Sequence, residues 1–389
     1  MLDLTGFSGK SLGMRILIAP DKFKGSLSGK QAAEAIERGF SKVFPQANYI
    51  QLPLADGGEG ILDAFRDVGA TEIRETLVND ALDREVAASW LLMLDGTTTT
   101  ALIESSQANG LWRISEFERN LPRSSSFGVG QLIREAISAG AKKIIIGIGG
   151  SATNDAGLGI AAALGCRFLD ASGHPVEPIP ENFLMISSID SENLPHLPPI
   201  IVACDVANPL LGPRGATRIY GPQKGLAPTD TEATEAGHHH FATIANAHFK
   251  TDFSEVPGAG AAGGLGYGLM TFCGATLESG FDCIADALEA EKHVSTADIV
   301  ITAEGSLDSQ SLEGKTPIGV SRLARKHGVP VYALAGRLAD EELLHLHFDG
   351  IASIVNAPMT LDHAIANGSE LLELAAERLA RILKTSNHS

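Results

Sequence analysis

Six short segments of the 389-residue chain concentrate residue types that can do chemistry. Residues 20–28, P-D-K-F-K-G-S-L-S, carry Asp21, Lys22, Lys24, Gly25 and Ser26. Residues 55–60, A-D-G-G-E-G, hold Asp56, Gly57, Gly58 and Glu59. Residues 147–155, G-I-G-G-S-A-T-N-D, hold Gly149, Gly150, Ser151, Asn154 and Asp155. Asp205 and Asn208 lie in D-V-A-N-P-L, and Gly260, Gly263 and Gly264 in P-G-A-G-A-A-G-G-L-G at 257–266. The last segment, A-E-G-S-L-D-S-Q-S-L-E-G-K at 303–315, supplies Glu304, Asp308 and Lys315. This inventory suits phosphoryl transfer, which needs positioning, cations and N–H groups on phosphate oxygens, and a carboxylate near the nucleophile. Carboxylates can also hold Mg²⁺, which prefers oxygen ligands.

Each segment but 257–266, which Val256-Pro257 introduces and whose G-x-G-x-x-G match therefore lacks a strand before it, follows an apolar run that reads as a strand. Residues 14–19 form a first strand, and Ser28 with Gln31 makes a capping box for a helix to about Phe40. Residues 48–54 form a second strand, with a helix to about Val68 after the 55–60 loop. Strand, loop and helix in alternation is the grammar of a parallel α/β sheet. Residues 71–77, 85–92 and 97–104 then follow without long helices, so a mixed or antiparallel sheet begins there. Residues 143–148 and 200–204 are further strands, and a helix capped by Thr229 and Glu232 is expected to reach Phe249. The parallel pattern returns with strands at 298–302, 330–334 and 351–354, Thr316 capping the helix between the first two. The resulting expectation is a discontinuous α/β domain, 14–78 plus 297–389, with another α/β domain, 79–296, inserted and residues 1–13 as an extension. Ligands bind beyond the carboxyl ends of parallel strands, so one cleft between the domains would use all six segments.

Composition narrows the partners. The chain carries 30 Lys+Arg against 47 Asp+Glu, a net charge of −17, which disfavours nucleic acid and anionic membranes as partners. No stretch has the ~20 apolar residues of a membrane span and no signal peptide is visible, so the expected location is cytoplasmic. The four cysteines form no C-x-x-C pair and read as buried, reduced thiols.

Other motifs compete. Gly314-Lys315-Thr316 ends like a P-loop, but Ser309 occupies the upstream glycine position. Gly147-Ile-Gly149-Gly-Ser-Ala152 matches a dinucleotide fingerprint, with Asp170 where a ribose-binding acid belongs. That match keeps a NAD-dependent oxidoreductase acting on a small hydroxy acid as an alternative, beside a non-catalytic small-anion binding protein. His238-His239-His240 reads as a solvated helix face, because adjacent helical residues point in different directions.

At these same residues the sequence resembles the bacterial glycerate kinases that are unrelated to P-loop kinases. The matching segments are A-P-D-K-F-K-G-S-L, P-L-A-D-G-G-E-G, G-I-G-G-S-A-T-N-D, A-C-D-V-A-N-P-L, Y-G-P-Q-K-G, P-G-A-G-A-A-G-G-L-G and I-T-A-E-G-S-L-D-S-Q-S-L-E-G-K-T-P. Ala156 and Ala303 stand where that family usually has glycine. The resemblance implies a flavodoxin-like domain built from both chain ends and an inserted restriction-endonuclease-like mixed α/β domain. It also implies phosphorylation of D-glycerate, using ATP and Mg²⁺, to a phosphoglycerate, the 2-isomer ahead of the 3-isomer. Partners would be D-glycerate and ATP, with a homodimer admitted. Lys22 or Lys24, with Gly25 and Ser26, would contact phosphate or the substrate carboxylate. Asp205, or alternatively Asp56, would deprotonate the attacking hydroxyl, and Glu304 and Asp308 would bind Mg²⁺. The 149–155 and 258–266 loops, with Gly57, Gly58, Asn208 and Lys315, would close around the ligands.

Overall fold

The computed structural model describes residues 13–55, 60–65, 70–95, 98–309, 311 and 315–386. Its strands, in chain order, are β1 (Arg15–Ile18), β2 (Asn48–Gln51), β3 (Ala70–Asn79), β4 (Glu85–Asp95), β5 (Thr98–Glu104), β6 (Lys143–Gly147) and β7 (Arg167–Leu169). They continue as β8 (Ser188–Asp190), β9 (Ile200–Ala203), β10 (Thr276–Glu278), β11 (Ile299–Leu307), β12 (Val331–Leu338) and β13 (Gly350–Ser353). The chain divides into two compact units, Met1–Asp56 with Phe281–Ser389, and Gly57–Gly280. The divisions thus lie earlier than the expected 78/79 and 296/297. For the first the reason is β3, which pairs along its length with β4 through a hairpin. Asp80 closes that hairpin by accepting the N–H groups of Leu82 and Arg84.

The first unit is a five-stranded sheet in the order β13-β12-β11-β1-β2. Every pairing in it is parallel. Parallel strands need crossovers, and helices Gly29–Ser41, Thr316–Lys326 and Gly368–Ser386 are among those that follow the strands. Ser28 and Gln31 form the expected capping box, each side chain accepting the other's backbone N–H. Ala32, Ala33, Ile36 and Phe40 give the capped helix an apolar face, buried with Ile16, Ile18, Leu372 and Ala376. Thr316, expected as a cap, is instead the first helical residue behind Lys315, with Pro317 in the first turn. Its hydroxyl donates to the Asp21 carboxylate instead. The sequence order reverses at β1, which lies between β2 and β11, so the carboxyl ends of β1 and β11 mark a topological switch point.

The second unit holds a six-stranded sheet, β10-β9-β6-β5-β4-β3, and a two-stranded β7-β8. Pairings among β3, β4 and β5 are antiparallel, and those among β5, β6, β9 and β10 are parallel. The sequence change from continuous apolar runs to hairpin-length spacing is therefore a change of pairing direction. Trp90, Phe183, Phe241 and Tyr267 are fully buried in its core. The helix Thr231–Phe249 begins without the expected Thr229–Glu232 cap. Glu232 pairs with Arg218 instead, and Thr229 donates to Asp230.

Gly39 lets helix Gly29–Ser41 lie directly on helix Gly368–Ser386. A Cβ there would stand 2.4 Å from the Glu373 carbonyl and 2.7 Å from the Ala376 methyl. Alanine improves helix propensity by ~1 kcal/mol, whereas overpacking costs ~1–3 kcal/mol. Gly39→Ala is therefore expected to lower stability, measured by urea denaturation; an unchanged or raised midpoint would show that the helices separate at no cost.

Candidate active site

In the first unit the reactive side chains gather at the carboxyl ends of β1 and β11. Asp21, just past β1, is buried, and its N–H donates to the Ala303 carbonyl at 2.8 Å. Its carboxylate accepts the Thr316 hydroxyl at 2.7 Å and the Lys22 N–H at 2.6 Å. This ties the loop after β1 to the helix after β11. Lys22 is half-buried, and Lys24 and Gly25 are exposed. Residues 23–27 form a tight hairpin in which Ser26 and Leu27 donate their N–H groups to the Phe23 carbonyl. The Ser26 hydroxyl donates to the Ile365 carbonyl at 2.6 Å. Ser26 is thus committed through both its N–H and its hydroxyl proton, contrary to its expected role as a phosphate donor.

The loop expected at 303–315 begins later than the sequence suggests, because β11 runs on to Leu307. Glu304 therefore lies on the strand, 3.5 Å from Lys315, which precedes the following helix. Asp308 accepts from Ser306 at 3.4 Å and has Arg337 at 4.0 Å. Cationic and anionic groups alternate across this strand end. Asp56, Gly57, Gly58 and Glu59 lie outside the described residues, as does Gly314.

The second unit brings its own strand-end loops together. Glu104, at the end of β5, is buried and accepts the N–H groups of Gly60 and Leu62 at 2.8 and 3.0 Å. A carboxylate at the start of a helix satisfies donors that the helix leaves unpaired. Gly149 and Gly150 turn at the end of β6, Gly150 exposed and left-handed at φ 71°. Beyond them Ser151, Thr153, Asn154 and Asp155 are all buried. The Asp155 carboxylate accepts the Ser126 N–H and hydroxyl, each at 2.7 Å, and the N–H groups of Gly157 and Gly159 at 3.1 Å. Burial pushes its pKa up against those four bonds. Asp155 braces the turn and presents no face to a ligand. Asn154 is likewise enclosed and donates to Thr217 at 3.1 Å.

The glycine-rich segment also packs on protein. A Cβ at Gly260 would stand 2.0 Å from the Pro209 carbonyl, one at Gly263 1.9 Å from the Thr153 carbonyl, and one at Gly264 2.7 Å from the Ala156 Cα. The space that glycine leaves is filled by main chain at all three positions, so the expected ligand cradle is a backbone-to-backbone contact. Asn208 is similarly occupied, donating to the Arg214 carbonyl and accepting the Tyr220 hydroxyl. Asp205 is exposed, not held at a buried strand end, and accepts the Gly280 N–H at 2.8 Å.

Two residues escaped the sequence reading. Lys224, within the motif Y-G-P-Q-K-G, is only 3% exposed and donates to Ser151 Oγ at 2.9 Å and the Thr153 carbonyl at 2.7 Å. Burial pushes its pKa down to about 7, opposed by the negative charge of Asp155. His238, expected on a solvated face, is fully buried against Phe183 with Nδ1 on the Thr234 carbonyl. Burial lowers its pKa to about 4, so it is neutral. The only sequence signal for Lys224 was its motif, and for His238 there was none.

Dinucleotide binding does not fit. Asp170 folds back on the N–H groups of Ser172 and His174, and β7 pairs with β8, outside the sheet that contains β6. Among the described residues no helix is long and apolar enough to cross a membrane, and no three His, Cys, Asp or Glu residues group as metal ligands.

Lysines beside carboxylates at the open end of a parallel sheet are groups that phosphoryl transfer can use. A profile of the glycerate kinase family matches residues 16–384. Glycerate kinase of Bacillus subtilis is 43% identical over 95% of this chain and 98% of its own length. Glycerate 2-kinase of Escherichia coli is 41% identical over 95% and 98%. A crystal structure from Salmonella typhimurium LT2, provisionally named glycerate kinase 2, superposes with a TM-score of 0.87 at 40% identity, covering 97% of this chain and all of that one. The chain belongs to the glycerate kinase family and is a kinase.

Lys224 gives this unit a distinctive pH dependence. Its folded pKa of about 7 lies below the ordinary lysine value of 10.5, so between them the unfolded chain binds the extra proton. The penalty is complete below pH 7 and is relieved as pH rises toward 10. Comparing wild type with Lys224→Met by urea denaturation should show the wild type gaining relative stability over that window. The gain is on the order of 4 kcal/mol, at ~1.4 kcal/mol per pH unit. A pH-independent difference would refute the depressed pKa.

Proposed function

We propose that this protein phosphorylates D-glycerate with ATP, and that 2-phosphoglycerate is the product. The observation that carries the reading is the family match over residues 16–384, which spans every one of the candidate loops. The name of the Escherichia coli relative supports the 2-isomer. We take the two compact units as the domains and the location as cytoplasmic. The first is flavodoxin-like, supported by a sheet that runs second, first, third, fourth, fifth in the unit's own strand order. The second is restriction-endonuclease-like, for which the mixed sheet is suitable.

Roles follow from the chemistry of each loop. Lys22 and Lys24 neutralise phosphate or the substrate carboxylate, assisted by Gly25; Ser26 shapes the hairpin. Gly149, half-buried, and Gly150, exposed, offer backbone N–H groups to ligand, while Ser151, Asn154, Asp155, Asn208, Gly260, Gly263 and Gly264 hold that surface in place. Asp205, exposed at the end of β9, accepts the proton of the attacking hydroxyl, with Asp56 as the other candidate base. Glu304 and Asp308 have the oxygen donors that suit Mg²⁺, which needs only one or two protein carboxylates beside phosphate and water. The ion would neutralise charge on the transferred phosphoryl group. Lys315, beside Glu304, adds a cation at the same strand end.

A coupled ADP-release assay with D-glycerate, ATP and Mg²⁺, with NMR identification of the product, tests the reading. Turnover to 2-phosphoglycerate is expected, and a folded sample inert toward D-glycerate would sink it. Asp205→Asn or Asp56→Asn should lower kcat by about 10²–10⁴, the range of a general base. Near-normal turnover in both variants would remove the base assignment.

A further inference from the structure

Three chain segments converge on one buried amino group. Lys224 ends the short 3₁₀ turn Pro222–Lys224, and its Nζ donates to Ser151 Oγ and to the Thr153 carbonyl. Ser151 Oγ in turn donates to the Ala262 carbonyl at 2.9 Å. Ala262 opens the left-handed stretch 262–264 inside the helix Ala261–Cys273. That stretch returns to the same turn, because the Ala156 N–H donates to the Gly263 carbonyl at 3.1 Å. On the opposite side Asn109 donates to Thr153 Oγ1 at 3.0 Å and accepts the Ala152 N–H at 2.7 Å. The turn after β6 is thereby gripped along residues 151–156, and the Gly150 carbonyl accepts the Leu111 N–H at 2.8 Å, which leaves the half-buried Gly149 and the N–H of the exposed Gly150 toward solvent.

The cost of this arrangement is informative. The charged or titratable groups that act on Lys224 are Asp155 and the neutral His238, and the Arg119 guanidinium donates to the neighbouring Gln223 carbonyl. Burying an ammonium group without a carboxylate partner is expensive, and an apolar side chain of similar length would fill the same volume at less cost. What methionine or leucine cannot supply is a pair of donors aimed at Ser151 and Thr153. The acceptors lie four and six residues past the end of β6, on the side of a parallel sheet where ligands bind.

We infer that Lys224 is a positioning residue of this kinase's 149–155 turn: its Nζ donors fix Ser151 and Thr153 and, together with the Leu111 N–H on the Gly150 carbonyl, set the half-buried Gly149 and exposed Gly150 in the shape that receives substrate. The inference rests on the kinase reading for its functional half and on the hydrogen bonds for its structural half. The turn is held from behind by the protein and does not wait for a ligand to order it. Lys224 itself touches neither substrate.

Lys224→Met, compared with wild type, separates this role from a general packing role. A packing defect lowers the concentration of active enzyme and leaves both KM values alone. Loss of positioning should raise KM for ATP or for D-glycerate at least tenfold. It should also speed amide hydrogen exchange at Ala152 and Ala156 at least tenfold relative to amides in β9. Ser151→Ala, which keeps Lys224 but breaks the link to Ala262, serves if the methionine variant does not fold, and the same changes are expected in it. Both KM values within twofold of wild type, with unchanged exchange at Ala152 and Ala156, would overturn the inference. A wild-type protein that releases no ADP would instead defeat the kinase reading, and exchange alone would then decide the positioning claim.

Discussion

Main chain lies directly on main chain where the glycine-rich segment meets the turn after β6, and much of the second unit is arranged around that contact. Gly263 sits against the Thr153 carbonyl and Gly260 against the Pro209 carbonyl at distances that exclude any side chain. Backbones this close leave no room for water, so each polar group in the contact needs a protein partner. Asp155 gathers the N–H groups of Ser126, Gly157 and Gly159, Asn109 and Thr217 take side chains of the turn, and Lys224 supplies the donors on the remaining side. The buried polar network is the consequence of the tight contact. It converts a run of small residues, flexible in isolation, into a fixed surface.

The first unit solves a related problem with less burial. Asp21 accepts Thr316 and the Lys22 N–H, which joins the loops after β1 and β11 although they are far apart in sequence. Lys22 past β1, and Glu304, Asp308 and Lys315 on or after β11, then stand on supports that are themselves hydrogen-bonded. Binding anions at such a place does not conflict with the net charge of −17, because local cations and N–H groups set the potential that a small ligand meets.

Much of this was legible from residue order. The Ser28–Gln31 capping box, the apolar strands and the change from parallel to antiparallel pairing after residue 70 all follow from local pattern. What stayed hidden depends on what a residue meets. Clustered glycines announce a close approach, but whether ligand or Thr153 fills the space is a tertiary fact. Lys224 in a G-P-Q-K-G turn has the local appearance of a solvated lysine, and its burial comes from segments about 40 to 70 residues away in either direction. His238 was misread for the same reason, since three adjacent histidines on a helix include one that faces inward. Ala156 illustrates the opposite case. The sequence marked it as a departure from glycine, and it adopts φ 49°, a conformation that costs a non-glycine residue about 1–2 kcal/mol.

The order of strands in the first unit has a consequence for biosynthesis. β1 needs β11 beside it, and the Thr302 hydroxyl reaches the Ala19 carbonyl across 283 residues of chain. At ~5–20 residues per second, a ribosome takes roughly 15–60 s to deliver the missing neighbour. Residues 57–280 form a contiguous unit that is complete in the meantime, while the apolar β1 waits with one edge open. That interval makes the nascent chain a natural client for chaperones that shield emerging hydrophobic strands. The length of that interval is set chiefly by how fast residues 57–280 are translated.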